Sequence, residues 1–326
     1  MGLWVFLIAF GILILFFALY CYKIAFYSPK ERKQDLYDYP DGEQYEYYGP
    51  KMVEISRIME DASCSLVEIT GHRGTKLTAR LYEYFPGSPV LILFHGYRSM
   101  ALRDCAGGFA LAQKLGFNVL VPDQRAHGAS EGRSITFGIH ERYDCQKWAE
   151  FAAKRYGSNI PLVLSGISMG AATVLMASDL NLPENVVAIM ADCPYASPAG
   201  IIGKVAGDMG FPEKLSLPII YLAGAVFGRF QLFASSAEKA LRKTHLPILL
   251  IHGEDDRFVP CDMSRQLHAA APEKTQLHTF PDAGHGLCYL CDPRRYERIC
   301  VNFLWQQDAL RPYLEKNPFA RSIQME

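Results

Sequence analysis

The chain has 326 residues, of which 50% are hydrophobic and 21% are charged, a composition typical of a globular protein. This length accommodates one α/β domain of about 250 residues plus a smaller segment, without a second catalytic domain. Lysine and arginine total 33 and aspartate and glutamate total 34, which gives a formal net charge of −1. Because no excess of positive charge is present, the composition argues against nucleic acid as a substrate or partner.

The sequence begins with an uncharged, almost wholly apolar segment from Gly2 to Tyr22. About 20 residues of this kind can cross a bilayer as a helix. A cleaved signal peptide would begin with basic residues and end in small residues, whereas this segment begins Met1-Gly2-Leu3-Trp4 and ends Tyr20-Cys21-Tyr22. We therefore predict that residues 2–22 form a single-pass anchor in the cell membrane.

Basic residues follow the anchor, namely Lys23, Lys30, Arg32 and Lys33. Because positive charge is enriched on the cytoplasmic side of a span, this pattern places the rest of the chain in the cytoplasm. The nine cysteines are odd in number and scattered, which indicates free thiols in a reducing compartment rather than a disulfide scaffold. We also predict that a chain that starts near Pro29 is soluble and active.

Residues 23–65 are polar and rich in tyrosine, and we interpret them as a juxtamembrane linker. The tyrosines could lie at the lipid headgroups or pack on the domain that follows. Apolar residues with helical spacing predict a short amphipathic helix within the linker: Met52, Val53, Ile55, Ile58 and Met59.

From Leu66 to Leu310, strand patterns and helix patterns alternate. The first two strand patterns flank a turn and predict an antiparallel hairpin, and later strands are short apolar runs typical of burial on both faces. This alternation predicts an α/β fold with a mostly parallel sheet flanked by helices. Residues 311–326 would then form a C-terminal tail. Strands are predicted at 66–69, 77–82, 90–94, 119–121, 162–164, 186–190, 248–251 and 275–280.

The connection between the predicted strands at 186–190 and 248–251 is far longer than the few residues that suffice. We predict that residues 194–245 form a lid over the carboxyl ends of the strands. The lid would shield an apolar pocket for an acyl group, which the anchor would hold close to lipid. Alternatively, its apolar residues pack into the core. These residues are Ile219, Ile220, Leu222, Val226, Phe227, Phe230, Leu232 and Phe233.

Gly166-Ile167-Ser168-Met169-Gly170 is a G-x-S-x-G motif between a predicted strand and a helix rich in small residues. A nucleophile elbow requires this placement, because the glycines permit a sharp turn that presents the serine hydroxyl. An incidental serine in a tight turn is the alternative. Phe94-His95-Gly96-Tyr97 ends an earlier buried strand, where a second oxyanion-hole amide is expected. We predict Ser168 as nucleophile, with the backbone N–H groups of Tyr97 and Met169 as oxyanion-hole donors.

An acid and a general base should follow the nucleophile in the chain, in that order. His285 lies in a glycine-flanked loop after the last predicted strand and is the predicted base. The loop after the preceding strand supplies three carboxylates, Glu254, Asp255 and Asp256, one of which would orient the histidine. The order serine, acid, histidine is that of the α/β hydrolases. His95 precedes the nucleophile, so we interpret it as a structural brace.

The segment from His252 to Pro260 reads His-Gly-x-x-Asp-x-x-Val-Pro and resembles the acid loop of α/β hydrolases of the serine aminopeptidase and monoacylglycerol lipase type. Asp123 to Gly132 is similar to their D-x-R-G-H-G-x-S-x-G loop, with Ala126 in place of a glycine. The resemblance implies that Asp256 is the acid. Asp192 is a minority candidate, because some relatives carry the acid on that strand. With its anchor, the whole chain resembles bacterial membrane-anchored α/β hydrolases described as esterases or peptidases.

Together these features predict a serine hydrolase that cleaves carboxylic esters, among them lipid or acyl esters, through an acyl-enzyme and without a cofactor. A peptidase, or an acyltransferase or thioesterase, could use the same residues. A non-catalytic binding protein on the same fold is the alternative from another class. Cys288-Tyr-Leu-Cys291 has a C-x-x-C spacing, but zinc would need further ligands, so no metal is predicted.

Overall fold

The computed structural model describes residues 2–29, 35–37, 39–40 and 42–325. Three of the basic residues used to predict the membrane orientation, Lys30, Arg32 and Lys33, lie outside the described residues. All nine cysteines are described and unpaired, as predicted.

The centre of the molecule is an eight-stranded sheet in the order β1-β2-β4-β3-β5-β6-β7-β8. Strand β2 is antiparallel to β1 and β4, and the remaining neighbours are parallel. The predicted α/β fold with an entry hairpin and a mostly parallel sheet is therefore confirmed. The strands are β1 Ser65–Thr70, β2 Lys76–Tyr82, β3 Val90–Phe94, β4 Asn118–Pro122, β5 Leu162–Ile167, β6 Val186–Asp192, β7 Ile248–Gly253 and β8 Thr275–Phe280.

Helices cover both faces of the sheet. They are α1 Gly2–Ala25, α2 Glu43–Asp61, α3 Ala101–Asp104, α4 Ala106–Leu115, α5 Glu141–Tyr156, α6 Met169–Ala177, α7 Pro198–Asp208, α8 Glu213–Ala223, α9 Ala237–Leu241, α10 Asp262–Ala270, α11 Cys288–Cys291, α12 Pro293–Trp305, α13 Arg311–Leu314 and α14 Pro318–Gln324. A 3₁₀ turn spans His72–Gly74, and a π turn spans Gly224–Gly228.

Strand β3 shows how the sheet divides the core. Val90, Ile92 and Phe94 contribute to one hydrophobic cluster, and Leu91 and Leu93 contribute to a second cluster on the opposite face. All five side chains are buried. Because both faces are covered, the strand is a continuous apolar run instead of an alternating one.

Helix α1 is the one helix among the described residues that is long and apolar enough to cross a membrane. Its length and composition fit the predicted anchor, and the helix continues three residues beyond Tyr22, to Ala25. Within it, Ala18 is the buried residue. Most of its surface is therefore available to lipid.

The segments that precede and follow the sheet in the sequence also pack on the domain. In the predicted linker, α2 buries Met52 and Met59, which confirms the amphipathic helix. In the predicted tail, Leu314 and Ala320 are buried.

The predicted lid contains α7, α8, the π turn and α9. Its apolar residues serve two purposes, because Phe230 and Leu232 are buried in the core whereas Val226 and Phe233 are about half exposed. Packing into the core thus explains part of the apolar composition, and an exposed apolar surface explains the rest.

Candidate active site

Ser168 lies in a strained turn between β5 and α6, with φ 54° and ψ −116°. A side chain at Gly166 would place its Cβ 2.3 Å from the backbone of Gly170, and one at Gly170 would come within 2.0 Å of the Phe94 carbonyl oxygen. The motif needs both glycines because backbones approach this closely. Strain of this kind is typical of functional sites, where the surrounding structure holds it in place.

The side chains of Ser168, His285 and Asp256 form one hydrogen-bonded chain. His285 Nε2 lies 2.9 Å from Ser168 Oγ, and His285 Nδ1 lies 2.6 Å from Asp256 Oδ2. Because the ionised carboxylate can only accept, His285 donates its Nδ1–H to Asp256, which leaves Nε2 to accept from the serine hydroxyl. The structure therefore brings together the three residues that the sequence selected.

The environment of Asp256 keeps its carboxyl ionised. Burial alone would raise the pKa of Asp256, but the neighbouring His285 and His252 outweigh burial and hold this pKa well below its usual range. Asp256 Oδ1 also accepts the backbone N–H groups of Phe258 (2.9 Å) and Val259 (2.7 Å). These hydrogen bonds favour the charged form and fix the carboxylate in the direction of His285.

Asp192, the minority candidate for the acid, lies at the end of β6, and its carboxyl group is hydrogen-bonded to Tyr296. Burial raises the pKa of Asp192 to about 6, although hydrogen bonding to Tyr296 opposes the shift. Its Oδ1 atom has no hydrogen-bond partner among the described residues. Its backbone carbonyl accepts the N–H of Ser168 at 2.8 Å, so this residue supports the elbow through its main chain.

The predicted oxyanion loop packs directly against the nucleophile. A Cβ added to Gly96 would lie 3.5 Å from Ser168 Cβ, and Tyr97 lines the cavity that contains Ser168. Asp104 fixes this loop, because its carboxylate accepts the N–H of Gly96 at 2.8 Å and the hydroxyl of Ser99 at 2.5 Å. Sequence reasoning missed Asp104, since no motif singles it out.

Two histidines brace the same loop. His95 is fully buried and accepts the N–H of Gln124 at 3.0 Å, as expected for a structural brace. His127 accepts the N–H of Arg98 at 3.0 Å. His127 belongs to the Asp123–Gly132 loop, so the signal for its role was present in that motif.

Helix α2 supports the loop that carries His285. Tyr45 donates its hydroxyl to the His285 carbonyl at 3.0 Å, and Gln44 donates its side-chain amide to the Asp255 carbonyl at 3.2 Å. Burial raises the pKa of Tyr45, so its hydroxyl remains a donor. Phe258 packs its ring against the imidazole of His285, with centroids 5.2 Å apart.

Helix α1 ends against the oxyanion loop. Tyr97 donates its hydroxyl to the Ala25 carbonyl at 2.8 Å, and Arg98 donates to the Ile24 carbonyl at 2.6 Å. These carbonyls are among those that a helix leaves unpaired at its C-terminus, where a cation also complements the helix dipole. Phe26 then buries its ring in the core. A chain that starts near Pro29 would lose this packing, and its solubility and activity stay a prediction.

Ser168 borders two cavities. One, of about 490 Å³, lies towards α2 and is lined by Tyr45, Arg103, Asp104 and His285. The other, of about 430 Å³, lies between α1 and the lid, and we call it the apolar cavity.

Among the described residues, the group that comes closest to a metal site shares Asp256 and His285 with the hydrogen-bonded chain of Ser168. Ligand atoms of Cys193, Asp256 and His285 lie within 4.8 Å of one another, a grouping found by a search of the described residues alone. Burial raises the pKa of the Cys193 thiol well above its usual range. Metal binding requires the thiolate, so this donor set is a poor fit for a metal.

Comparison with known proteins assigns the family. The profile described as the alpha/beta hydrolase family matches residues 91–299, more than half of the chain. The chain belongs to the α/β hydrolase family. The match includes Ser168, Asp256 and His285.

Curated relatives of this α/β hydrolase are distant in sequence. YqkD of Bacillus subtilis is 25% identical over 215 residues, which cover 66% of this chain and 70% of YqkD. YfhR of Escherichia coli K12 is 26% identical over 258 residues, which cover 77% of this chain and 79% of YfhR. Protein bem46 of Schizosaccharomyces pombe is 24% identical over 227 residues, which cover 69% of this chain and 70% of bem46.

Among solved structures, the α/β hydrolase is similar to the esterase Pf2001 of Pyrococcus furiosus, with a TM-score of 0.63 and 21% identity. That likeness covers 77% of this chain and 93% of the esterase. Est1E of Butyrivibrio proteoclasticus, solved with ferulic acid, gives a TM-score of 0.58 at 19% identity and covers 74% of this chain and 99% of Est1E. At these identities, the likeness supports the fold.

Proposed function

We propose that this α/β hydrolase is a serine carboxylesterase in which Ser168 is the nucleophile, His285 the general base and Asp256 the residue that orients it. The observation that carries the proposal is the hydrogen-bonded chain from Ser168 through His285 to Asp256 at the edge of two cavities. The 2.9 Å between Ser168 Oγ and His285 Nε2 is a distance at which a proton can pass from the serine to the imidazole, and the 2.6 Å hydrogen bond to Asp256 orients the imidazole.

In the proposed reaction, Ser168 Oγ attacks the ester carbonyl while its proton moves to His285 Nε2. The ionised Asp256 stabilises the resulting imidazolium. The backbone N–H groups of Tyr97 and Met169 would bind the oxyanion of the tetrahedral intermediate. His285 then gives the proton to the departing alcohol, and the acyl group stays on Ser168.

Hydrolysis of this acyl-enzyme reverses the roles. His285 takes a proton from water, whose oxygen attacks the acyl carbon, and returns the proton to Ser168 Oγ as the acid leaves. The scheme uses side chains and backbone amides of this chain. It requires no cofactor.

Covalent labelling by a small fluorophosphonate tests the nucleophile. We expect Ser168→Ala to abolish both labelling and ester turnover and to leave the thermal melt nearly unchanged. Ser158→Ala is the matched control, because Ser158 is exposed and lies outside both cavities. Full labelling of Ser168→Ala would show that another residue is the nucleophile, and an unlabelled wild-type chain would favour a non-catalytic binding protein.

A substrate comparison tests the reaction class. The structure favours esters, since one wall of the site is a largely apolar surface rather than a cluster of charges that would recognise a peptide terminus. We therefore expect p-nitrophenyl esters to be hydrolysed much faster than aminoacyl amides of similar size. Faster cleavage of the amides would identify a peptidase, and transfer of the acyl group to an added alcohol in preference to water would identify an acyltransferase.

A further inference from the structure

The apolar cavity connects Ser168 with the surface between α1 and the lid. At its inner end lies Ser168, which is 7% exposed. Its lining also includes Tyr20 of α1 and Leu215 of α8, which are 59% and 70% exposed. Because buried and strongly exposed residues line one continuous space, the cavity leads from the nucleophile to the outside of the molecule.

Helix α1 forms one wall of this cavity. The α1 residues that line it occupy the last turns of the helix: Phe17, Tyr20, Cys21, Ile24 and Ala25. The opposite wall comes from α7 and α8, with Val205 and Ile219 among the lining residues. The predicted anchor therefore contributes side chains to the space next to Ser168.

The length of α1 determines how deep this part of the molecule would lie if α1 crosses a membrane. Residues Gly2 to Phe10 of α1 are all exposed. Gly11, Ile14 and Ala18 form a less exposed stripe along α1, which contacts α8. The nine exposed residues 2–10 form about 14 Å of helix, which is roughly half of the 30 Å thickness of the hydrocarbon core of a bilayer. If α1 spans the bilayer, α8 must therefore lie within it.

The surface of the lid agrees with this depth. Met209, Phe211 and Leu215 are 57%, 50% and 70% exposed, fall within seven residues of the chain and line the cavity. A patch of large apolar side chains is costly in water and favourable in lipid. The exposed apolar surface of the lid and the mouth of the cavity are thus the same surface.

We propose that α1 is a wall of an acyl-chain pocket and that the substrate is a membrane lipid, whose acyl chain enters this pocket from the bilayer between α1 and α8. This inference rests on the proposed function, since it requires that Ser168 attack the ester. The acyl chain occupies the apolar cavity, and the leaving group lies towards the second cavity, whose lining includes Arg103 and Asp104.

Photo-crosslinking in full-length protein reconstituted into phosphatidylcholine vesicles tests the location of the chain. The probe is a long-chain alkyl fluorophosphonate with a diazirine at the end of its chain. After it reacts with Ser168, irradiation should crosslink it to α1 between Phe17 and Ala25 or to the lid between Met209 and Ile219. Crosslinks confined to the region of α2 would overturn the proposal. If a short-chain fluorophosphonate also leaves Ser168 unlabelled, the failure belongs to the proposed function instead.

Substitutions on α1 test the wall itself. In the wild type, each methylene buried in the pocket should raise kcat/KM about fourfold until the pocket is full. Ile24→Trp narrows the cavity from the α1 side and should flatten this rise, so that the ratio of octanoyl to butanoyl ester hydrolysis falls. Leu13→Trp is the control, because Leu13 is exposed on α1 and lies outside the cavity lining. Identical ratios in the three proteins, or acetyl esters as the best wild-type substrates, would overturn the proposal.

Delivery of the long-chain probe tests the source of the substrate. Labelling should be much faster when the probe is in the vesicles that hold the protein than when it is in separate, protein-free vesicles. Equal rates would show that the chain enters from water, which overturns entry from the bilayer.

Discussion

Two regions of the molecule build the surroundings of Ser168 in different ways. The turn after β5 and the loops after β7 and β8 supply Ser168, Asp256 and His285, which meet because the carboxyl ends of parallel strands share one edge of the sheet. Helices α1 and α2 supply none of these three residues, yet one contacts the oxyanion loop and the other contacts the loop of His285. Short motifs thus carry the proposed chemistry, whereas segments remote in sequence contact and support the loops that hold it.

The largest expected effect comes from a substitution in the first of these regions, the loops that carry Ser168, Asp256 and His285. Asp256→Asn should lower kcat by a factor on the order of 10⁴, because an amide cannot stabilise the imidazolium of His285 and favours the wrong tautomer. Asp192→Asn makes the same chemical change on β6, where the carboxyl bonds to Tyr296, and should lower kcat far less. Steady-state kinetics with p-nitrophenyl butyrate measures both variants. The reverse ranking would move the acid to β6.

The next effect tests whether the N-terminal region belongs to the packed domain. Phe26 is fully buried, with ring centroids 5.8 Å from Phe137 and 5.0 Å from Phe230. Phe26→Ala should therefore lower the free energy of unfolding by about 3–5 kcal/mol. Phe6→Ala, on the exposed part of α1, should change it by less than about 0.5 kcal/mol. Denaturant unfolding in detergent micelles provides the comparison, and equal effects at the two positions would mean that α1 is only an anchor.

Most of the sheet could be predicted because burial on both faces leaves a direct mark on the sequence. The strands at 90–94 and 275–280 have the predicted bounds. The residues of the candidate site were also accessible, because the elbow, the acid loop and the loop of His285 are each local patterns. What they do chemically remains a prediction until Ser168 is labelled.

The contacts of α1 and α2 could not be predicted in the same way. Met52, Ile55 and Met59 have the spacing of a buried helix face, which signalled that α2 packs on something but not on what. Helix α1 is apolar on every side, so no stripe distinguishes the face that meets α8 from the faces that meet lipid. Arg98 and Tyr97 cap α1 only because the fold brings residues distant in sequence together.

A pH-dependent effect of intermediate size concerns Asp192. Its pKa is raised from 3.8 to about 6, so between these values the folded protein keeps a proton that the unfolded chain has lost. Asp192 therefore costs stability as pH rises through this window, by ~3 kcal/mol once both states are ionised. Asp192→Asn removes this dependence. Its free energy of unfolding relative to wild type should be more favourable at pH 8 than at pH 4, and a constant difference would contradict the raised pKa.

The smallest expected effect concerns Ala126, at the one position where the Asp123–Gly132 loop departs from the pattern that it resembles. Ala126 has φ 63°, in the left-handed region that disfavours a side chain, which explains why a glycine is usual there. Its N–H donates to the Glu131 carbonyl at 2.8 Å, so the loop holds the residue in this conformation. Replacing it with glycine relieves backbone strain but increases the entropy of the unfolded chain.

The strain should outweigh the entropy, so Ala126→Gly should raise the free energy of unfolding by about 0.5–1 kcal/mol. Ala129→Gly in the same loop is the control. Ala129 is not among the residues of positive φ, so this change relieves no strain and should be neutral or destabilising. The replacement leaves His127 in place, which accepts the N–H of Arg98 in the oxyanion loop. Fluorophosphonate labelling of Ser168 should therefore not fall. Equal destabilisation of both variants would mean that the loop does not hold Ala126 at positive φ in solution.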